Sequence, residues 1–354
     1  MTSSLPNHRK WLRFAALAWL ALWLVATLGG EAARLTPAER VTLEVKAYLA
    51  GEMAALEAAA RDLHAAAPAP DADGWNARDD ADAVRRMRAA WGRMRDAYEH
   101  IEAGVVVLFP ETDVAIDARY EGFAEGGLDR DPFDGVGVTG MHAIERVLWA
   151  DEVAPEVLAF ERSLREGSVY VAPSYPTGAR EAAGFRDGLV RRVIDDVAAM
   201  RRAFGPLALD PAAAYRGVVS SMREQHEKID LAATAEEESR YARRTLADMR
   251  ANLRGGRALF GCFRPWLRDA GHEAMAAAID ARLAGIEARY DALPGDALPP
   301  VPPGWDPDSP TAAHRATAYG ELHGFLGVES DPDRAGSLAA LMLRAGQALG
   351  VEVR

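Results

Sequence analysis

A histidine and a glutamate at helical spacing are the residues of this sequence best suited to bind a metal ion. His142 and Glu145 are three positions apart in the segment GVGVTGMHAIERVLW, residues 135–149, so on a helix they project from one face. One imidazole and one carboxylate hold a metal weakly, and further ligands must come from a neighbouring helix. Glu99 and Glu102, again three apart, are the natural second pair. The spacing therefore predicts a site built from two helices.

The helix that carries His142 is predicted to be buried, because it has an apolar stripe made of Met141, Ile144, Leu148 and Trp149. Buried charges persist only when they are paired or bound to a metal. The alternative is simpler: a His and a Glu three apart on a solvated helix face can contact each other without any metal. These residues alone leave both interpretations open.

Two further elements are expected to position the site. A long helix from about Asp80 to Val107 places its apolar residues at steps of three and four, so that Glu102 is next to the buried stripe and Glu99 borders it. A short helix from Asp113 to Tyr120 carries Asp117, which is a weaker candidate ligand.

Composition predicts an all-α protein. The chain has 354 residues, of which 49% are hydrophobic, and its alanine-rich runs with Leu, Glu and Arg favour helices throughout. One of these helices is expected to open at Glu236-Glu237-Glu238, where acidic residues suit the helix dipole, and to end near Trp266. His314 and His323 are interpreted as structural or exposed, because neither has a carboxylate at ligand spacing.

The N-terminal segment has the layout of a targeting sequence. Arg9, Lys10 and Arg13 precede an apolar run over residues 14–28, which is typical of a signal peptide or a short membrane anchor. Residues 1–33 are therefore predicted to engage the membrane or the export machinery, and residues 34–354 to form the helical domain. The expected location is periplasmic or extracytoplasmic, with residues 14–30 as an anchor to the inner membrane if they are retained.

Charge and cysteine content limit the classes of partner. The net charge of −12 argues against nucleic acid and is compatible with cation binding, although plain solubility would explain it equally well. Cys262 is the only cysteine of the sequence, so no internal disulfide can form.

Several motifs follow one another in a recognisable order. The first block contains Tyr98-Glu99-x-Ile101-Glu102, Ile116-Asp117-x-Arg119 and Gly140-x-His142-x-x-Glu145 with Leu148-Trp149. The second contains Lys228-Ile229, Glu236-Glu237-Glu238-x-x-Tyr241, Leu246-Ala247-Asp248-Met249-x-Ala251-Asn252-x-x-Gly255-Gly256 and Phe263-Arg264-Pro265. This ordered set resembles the imelysin-like family, which includes EfeO-type periplasmic proteins of iron uptake.

The resemblance implies an exported, all-helical bundle, arranged as one bundle or as two packed four-helix-bundle halves. It also implies a metal site made by His142 and Glu145 first, by Glu99 second, and then by Glu102 and Asp117. Iron is the expected metal, and zinc or manganese would suit the same imidazole and carboxylate donors. An inner-membrane iron permease would be a partner in that role.

Two other functions remain open. Members of the resembled family were once classed as peptidases, but the sequence contains neither H-E-x-x-H nor H-x-x-E-H, so a complete hydrolytic zinc set is not visible and a role other than catalysis is favoured. The third function is a helical interaction module in which the contact between His142 and Glu145 is purely structural.

Overall fold

The protein is described by a computed structural model over residues 35–76, 79–117, 131–134, 136–137, 139–164 and 170–353. Every regular element within these ranges is helical and none is a strand, which confirms the all-α prediction. The predicted N-terminal targeting segment lies outside the described residues, as do Arg119 and Tyr120. None of the described helices is both long and apolar enough to span a membrane.

The helices of the first half of the chain are α1 (Pro37–Ala66), α2 (Ala81–Glu99), α3 (Glu102–Leu108), α4 (Pro110–Asp117), α5 (Met141–Leu148), α6 (Pro155–Ser163), α7 (Ala179–Ala183) and α8 (Arg191–Phe204), with a π-helical segment, Gly184–Val190, between the last two. Those of the second half are α9 (Pro211–Asp230), α10 (Thr245–Asp269), α11 (Glu273–Asp291), α12 (Ala312–Arg315), α13 (Ala318–Ser330) and α14 (Leu338–Ala348). A 3-10 turn, Leu231–Thr234, follows α9.

The first long helix begins at a complete capping box. The Thr36 hydroxyl accepts a hydrogen bond from the Glu39 amide at 3.3 Å, and the Glu39 carboxylate accepts one from the Thr36 amide at 2.8 Å. Pro37 occupies the first helical position, where its missing N–H costs nothing. The sequence Thr36-Pro37-Ala38-Glu39, an N-cap residue followed by proline, predicts this helix start, and the structure confirms it.

Packing divides the helices into two groups that share one continuous hydrophobic core. Helix α1 packs against α2 and α8 in the first group, while α9 packs against α10, α13 and α14 in the second. The groups meet where α1, α2 and α3 contact α9 and α10. We call this boundary the seam, and the candidate site lies within it.

The single long helix expected from Asp80 to Val107 is broken in the structure. Helix α2 ends at Glu99 and α3 begins at Glu102. The cause is tertiary: Gly255 of α10 packs against the break, where a Cβ on this glycine would lie only 2.4 Å from the His100 carbonyl oxygen. The break turns both glutamates inward, so that Glu99 and Glu102 are buried.

The helix expected to open at Glu236 begins later. Residues 238–243 form turns, Arg243 adopts a positive φ of 52°, and α10 starts at Thr245. The same helix continues through Pro265 to Asp269 rather than ending at Trp266. The turns hold Glu238 against the buried Lys228 and Arg95, and these ion pairs replace the helix-dipole role predicted for it.

Candidate metal site at the seam

The start of α5 places His142 beside the end of α4. Gly140 precedes the helix with φ of +88°, a conformation that favours glycine. A Cβ at this position would lie 2.6 Å from the Ile116 carbonyl oxygen. The close approach of the two backbones brings His142 next to Asp117, and it leaves the His142 side chain only 2% exposed.

The two ring nitrogens of His142 face different carboxylates. Nδ1 is 2.8 Å from Glu145 Oε2, as the spacing of three predicted. Nε2 is 3.3 Å from Asp117 Oδ1 but is not aligned for a hydrogen bond, and it has no other hydrogen-bond partner among the described residues. The second oxygen of Glu145 accepts a hydrogen bond from the Ala242 amide at 2.8 Å. A metal ion could therefore approach the imidazole from the Asp117 side while Glu145 fixes the ring.

Two buried cations hold the remaining carboxylates. Arg95 contacts Glu99 and Asp117, and it lies 3.1 Å from Glu238 and 3.4 Å from Asp248. Lys228 Nζ lies 2.7 Å from Glu238, 3.0 Å from Glu102 and 3.4 Å from Glu99. We call the whole assembly the seam cluster; its members are Arg95, Glu99, Glu102, Asp117, His142, Glu145, Lys228, Glu238 and Asp248.

The seam cluster contains more negative than positive charge. Its six carboxylates face two permanent cations, and the pKa values show how the excess is accommodated. Burial and the neighbouring Glu102 raise the pKa of Glu99 well above its usual value, and burial raises that of Asp248 to about 6. Although burial opposes it, Lys228 and Arg95 lower the pKa of Glu238 to about 2. Without a metal, protons must balance part of the charge.

His142 takes part in the same balance. Burial alone would lower its pKa, but the contacts with Asp117 and Glu145 raise it to about 9. The imidazole is therefore protonated at neutral pH when the site holds no metal. Because a metal ligand must be the neutral imidazole, a divalent cation bound here would replace that proton.

The structure brings together some of the predicted ligands more closely than others. His142, Glu145 and Asp117 form one group. Glu99 and Glu102 are adjacent to that group but belong to the ion pairs of Arg95 and Lys228. The carboxylate oxygens of Glu99, Glu238 and Asp248 lie within 4.8 Å of one another, and Arg95 contacts all three.

Sequence reasoning missed several members of the cluster. Arg95, Lys228, Glu238 and Asp248 were not among the predicted site residues, nor was Asn252, whose amide donates a hydrogen bond to Glu102. Four of these five belong to the second block of motifs, and Arg95 precedes Glu99 by the four residues of a helical ion pair. The order of the motifs was thus a signal that the two blocks meet in space.

A narrow cleft connects the seam cluster to solvent. It has a volume of about 260 Å³ and is lined by Glu102, Asp117, Glu224, Glu227, Lys228, Leu231 and Glu238. Five of these seven residues are acidic, so the cleft should attract cations towards Asp117.

The fold and the site define an all-α protein with a buried histidine in a carboxylate-rich boundary between two helix groups. The sequence model of the imelysin family, Peptidase M75, matches residues 39–323, and the chain belongs to this family. Its fold is similar to the crystal structure of an imelysin-like protein from Psychrobacter arcticum 273-4, with a TM-score of 0.52 and 13% sequence identity over 88% of this chain and 93% of that chain. No curated protein sequence matches the chain.

Proposed function

We propose that this chain is an exported metal-binding protein that takes up iron, or another divalent cation, at the seam cluster. The observation that carries the proposal is the buried Nε2 atom of His142, which faces Asp117 Oδ1 at 3.3 Å in an ion pair that is not aligned as a hydrogen bond. A divalent cation bound between the imidazole and this carboxylate would take the place of the His142 proton and be held by both groups.

The donor set suits a divalent transition metal. His142 Nε2 would supply one nitrogen and Asp117 would supply oxygen, a mixture that fits Fe, Zn or Mn and disfavours soft Cu(I), while Glu145 orients the imidazole through Nδ1. Glu99 and Glu102 are the next carboxylates in reach. Arg95 and Lys228 hold these acidic side chains in place when no metal is bound, in the way that outer partners orient metal ligands.

A role in cation acquisition follows from the setting of the site. The acidic cleft would lead ions to Asp117, and the predicted export of residues 34–354 would place the protein where external cations arrive. Delivery to an inner-membrane permease is the step that such a role requires. The motif order shared with EfeO-type proteins of iron uptake supports iron as the first metal to test.

The test compares metal content in three forms of the purified chain after anaerobic loading with Fe(II), or separately with Zn(II), and desalting. These forms are the parent, His142→Ala/Glu145→Ala, and the matched control His100→Ala/Glu52→Ala, which removes another His–Glu contact, a half-buried one of 3.0 Å. We expect the site variant to lose about one equivalent of metal relative to the parent and the control. Equal metal in all three would refute the assignment.

The same samples separate the alternative functions. Cleavage of a peptide library by the metal-loaded parent, lost in the His142→Ala/Glu145→Ala variant, would indicate a peptidase. Unchanged metal content and unchanged thermal stability in excess metal for that variant would instead indicate a helical interaction module.

A further inference from the structure

A second group of metal-binding side chains lies on the other side of α9. His226 and Asp230 are four residues apart on this helix and share a face. His323 comes from α13, and its Nε2 lies 2.6 Å from Asp230 Oδ1. The other carboxylate oxygen of Asp230 lies 3.5 Å from His226 Nδ1. One donor atom from each residue lies within 4.8 Å of the other two.

The structure decides between the two predictions made for His323. The sequence has no carboxylate at ligand spacing from this histidine and predicts a structural or an exposed residue. It is buried rather than exposed, and its carboxylate comes from a helix 93 residues earlier in the chain. A single hydrogen bond between His323 and Asp230 would account for that pair, but it does not account for His226, whose ring centroid lies 4.6 Å from that of His323.

The group of His226, Asp230 and His323 has aromatic rings on one side and an open cleft on the other. Trp305 packs edge-on against His323 with ring centroids 4.9 Å apart, and Tyr319 stacks on the same ring at 6.1 Å. On the other side, His226 and Asp230 line an open cleft of about 620 Å³. The apolar wall would fix His323, and the cleft leaves a coordination position for water or a ligand.

The local sequence supports the same interpretation. His226-Glu227-Lys228-Ile229-Asp230 has the H-E-x-x spacing of zinc-binding helices, with aspartate in the position of the second histidine. Glu227 lines the cleft and adds negative charge beside the two ligands of α9. Lys228 points the opposite way, into the seam cluster.

We propose that His226, Asp230 and His323 form a second divalent-metal site, separate from the seam cluster, with an open position that faces the cleft. Two nitrogens and one oxygen suit a borderline ion such as Zn²⁺ better than a hard one. We call it the α9–α13 site. It does not depend on the function proposed for the seam.

The test uses Zn²⁺ as the probe and the full chain carrying His142→Ala/Glu145→Ala, so that the seam lacks its only imidazole and the carboxylate bonded to it. Equilibrium dialysis should show about one equivalent of Zn²⁺, and Zn²⁺ should raise the melting temperature of this chain because a bound ion stabilises the folded state. Co²⁺ in place of Zn²⁺ should give the visible absorption of a low-symmetry nitrogen and oxygen site. Adding His226→Gln, a half-exposed position, should abolish all three signals.

A matched control and a second variant distinguish loss of the proposed ligands from a general effect of removing a histidine. His64→Gln removes a histidine that contacts Asp187 at 3.2 Å elsewhere on the molecule, and it should leave Zn²⁺ binding unchanged. Asp230→Asn should abolish binding like His226→Gln while retaining a polar side chain of the same size. If the chain carrying His142→Ala/Glu145→Ala binds no Zn²⁺, or if His226→Gln and His64→Gln bind it equally, the second site does not exist.

Discussion

The two proposed cation sites, the seam cluster and the α9–α13 site, are built in opposite ways. The seam cluster surrounds one imidazole with six carboxylates and carries two buried cations of its own, Arg95 and Lys228. The α9–α13 site joins two imidazoles to one carboxylate and contains no Arg or Lys among its three residues. The seam is buried, whereas half of the second site is open to a cleft.

This comparison shows what orders the side chains of each region when no metal is bound. In the seam, internal ion pairs keep the carboxylates in place, so the site is organised before a cation arrives. In the α9–α13 site, one hydrogen bond and an aromatic wall position His323, while His226 is half-exposed at the cleft. The two donor sets should also prefer different ions. The oxygen-rich seam should prefer harder cations, and the nitrogen-rich α9–α13 site should prefer softer ones.

The largest effect should follow from removal of Arg95. Arg95→Met leaves Glu99, Asp117, Glu238 and Asp248 without a shared partner in a buried place, and breaking such a network costs about 3–5 kcal/mol of unfolding free energy. Urea denaturation of the metal-free protein measures the loss. Arg254→Met is the control, because Arg254 pairs with Glu287 at the surface. This change should lower the unfolding free energy by less than about 1 kcal/mol. Equal losses would mean that the seam charges are not coupled as described.

The second effect concerns the pH dependence of stability in metal-free protein. Because the folded-state pKa of His142, about 9, is above its ordinary value of 6.5, the folded form binds the proton more tightly. Protonated His142 therefore contributes up to about 3 kcal/mol to the unfolding free energy. This contribution is complete below pH 6.5 and is lost as the pH rises through 9.

The measurement is chemical denaturation at several pH values between 6 and 10, in chelator, for the parent and for His142→Gln. The parent should lose stability across this window more steeply than the variant. Parallel curves would show that His142 is not protonated in the folded protein.

The third effect separates the two sites. Asp117→Asn removes the carboxylate that faces His142 Nε2, and we expect about a 10- to 100-fold loss of metal affinity at the seam with no change at the α9–α13 site. Asp230→Asn should give the reverse pattern. Titration of each variant with Zn²⁺ checks both outcomes, and a variant that weakens both sites equally would argue that the two are one coupled system.

The smallest effect should come from a position remote from both sites. Thr36→Ala removes the side-chain cap of α1 and should lower the unfolding free energy by about 1 kcal/mol without altering metal content. Thermal denaturation and elemental analysis of the same sample check the two statements. A change in metal content would show that the sites respond to general loss of stability, which would weaken the interpretation of the other variants.

Local patterns predicted the fold well, because helix starts and apolar stripes depend on neighbours in sequence. The cap at Thr36 and the inward face shared by His142 and Glu145 are examples, and both agree with the structure. The break between α2 and α3 could not be predicted in this way. It depends on Gly255, which is distant in sequence, and on the space that this glycine leaves for His100.

The candidate sites were predictable only where their residues are close in sequence. The spacing of three predicts the Glu99–Glu102 pair. It does not predict the contact of this pair with Lys228, because that contact joins residues more than a hundred positions apart. His323 was assigned no partner for the same reason. The binding roles of His142, Glu145, Glu99, Glu102 and Asp117 stay predictions until metal content is measured.

The contact between Gly255 and His100 also limits how the two helix groups can move. At this point the backbone of α10 touches the backbone at the end of α2, with no side chain between them to adjust. Sliding of one group along the other would drive the two main chains into each other. A cation bound at the seam as proposed should therefore enter and leave by rotation of side chains at the mouth of the acidic cleft, without movement of the two helix groups.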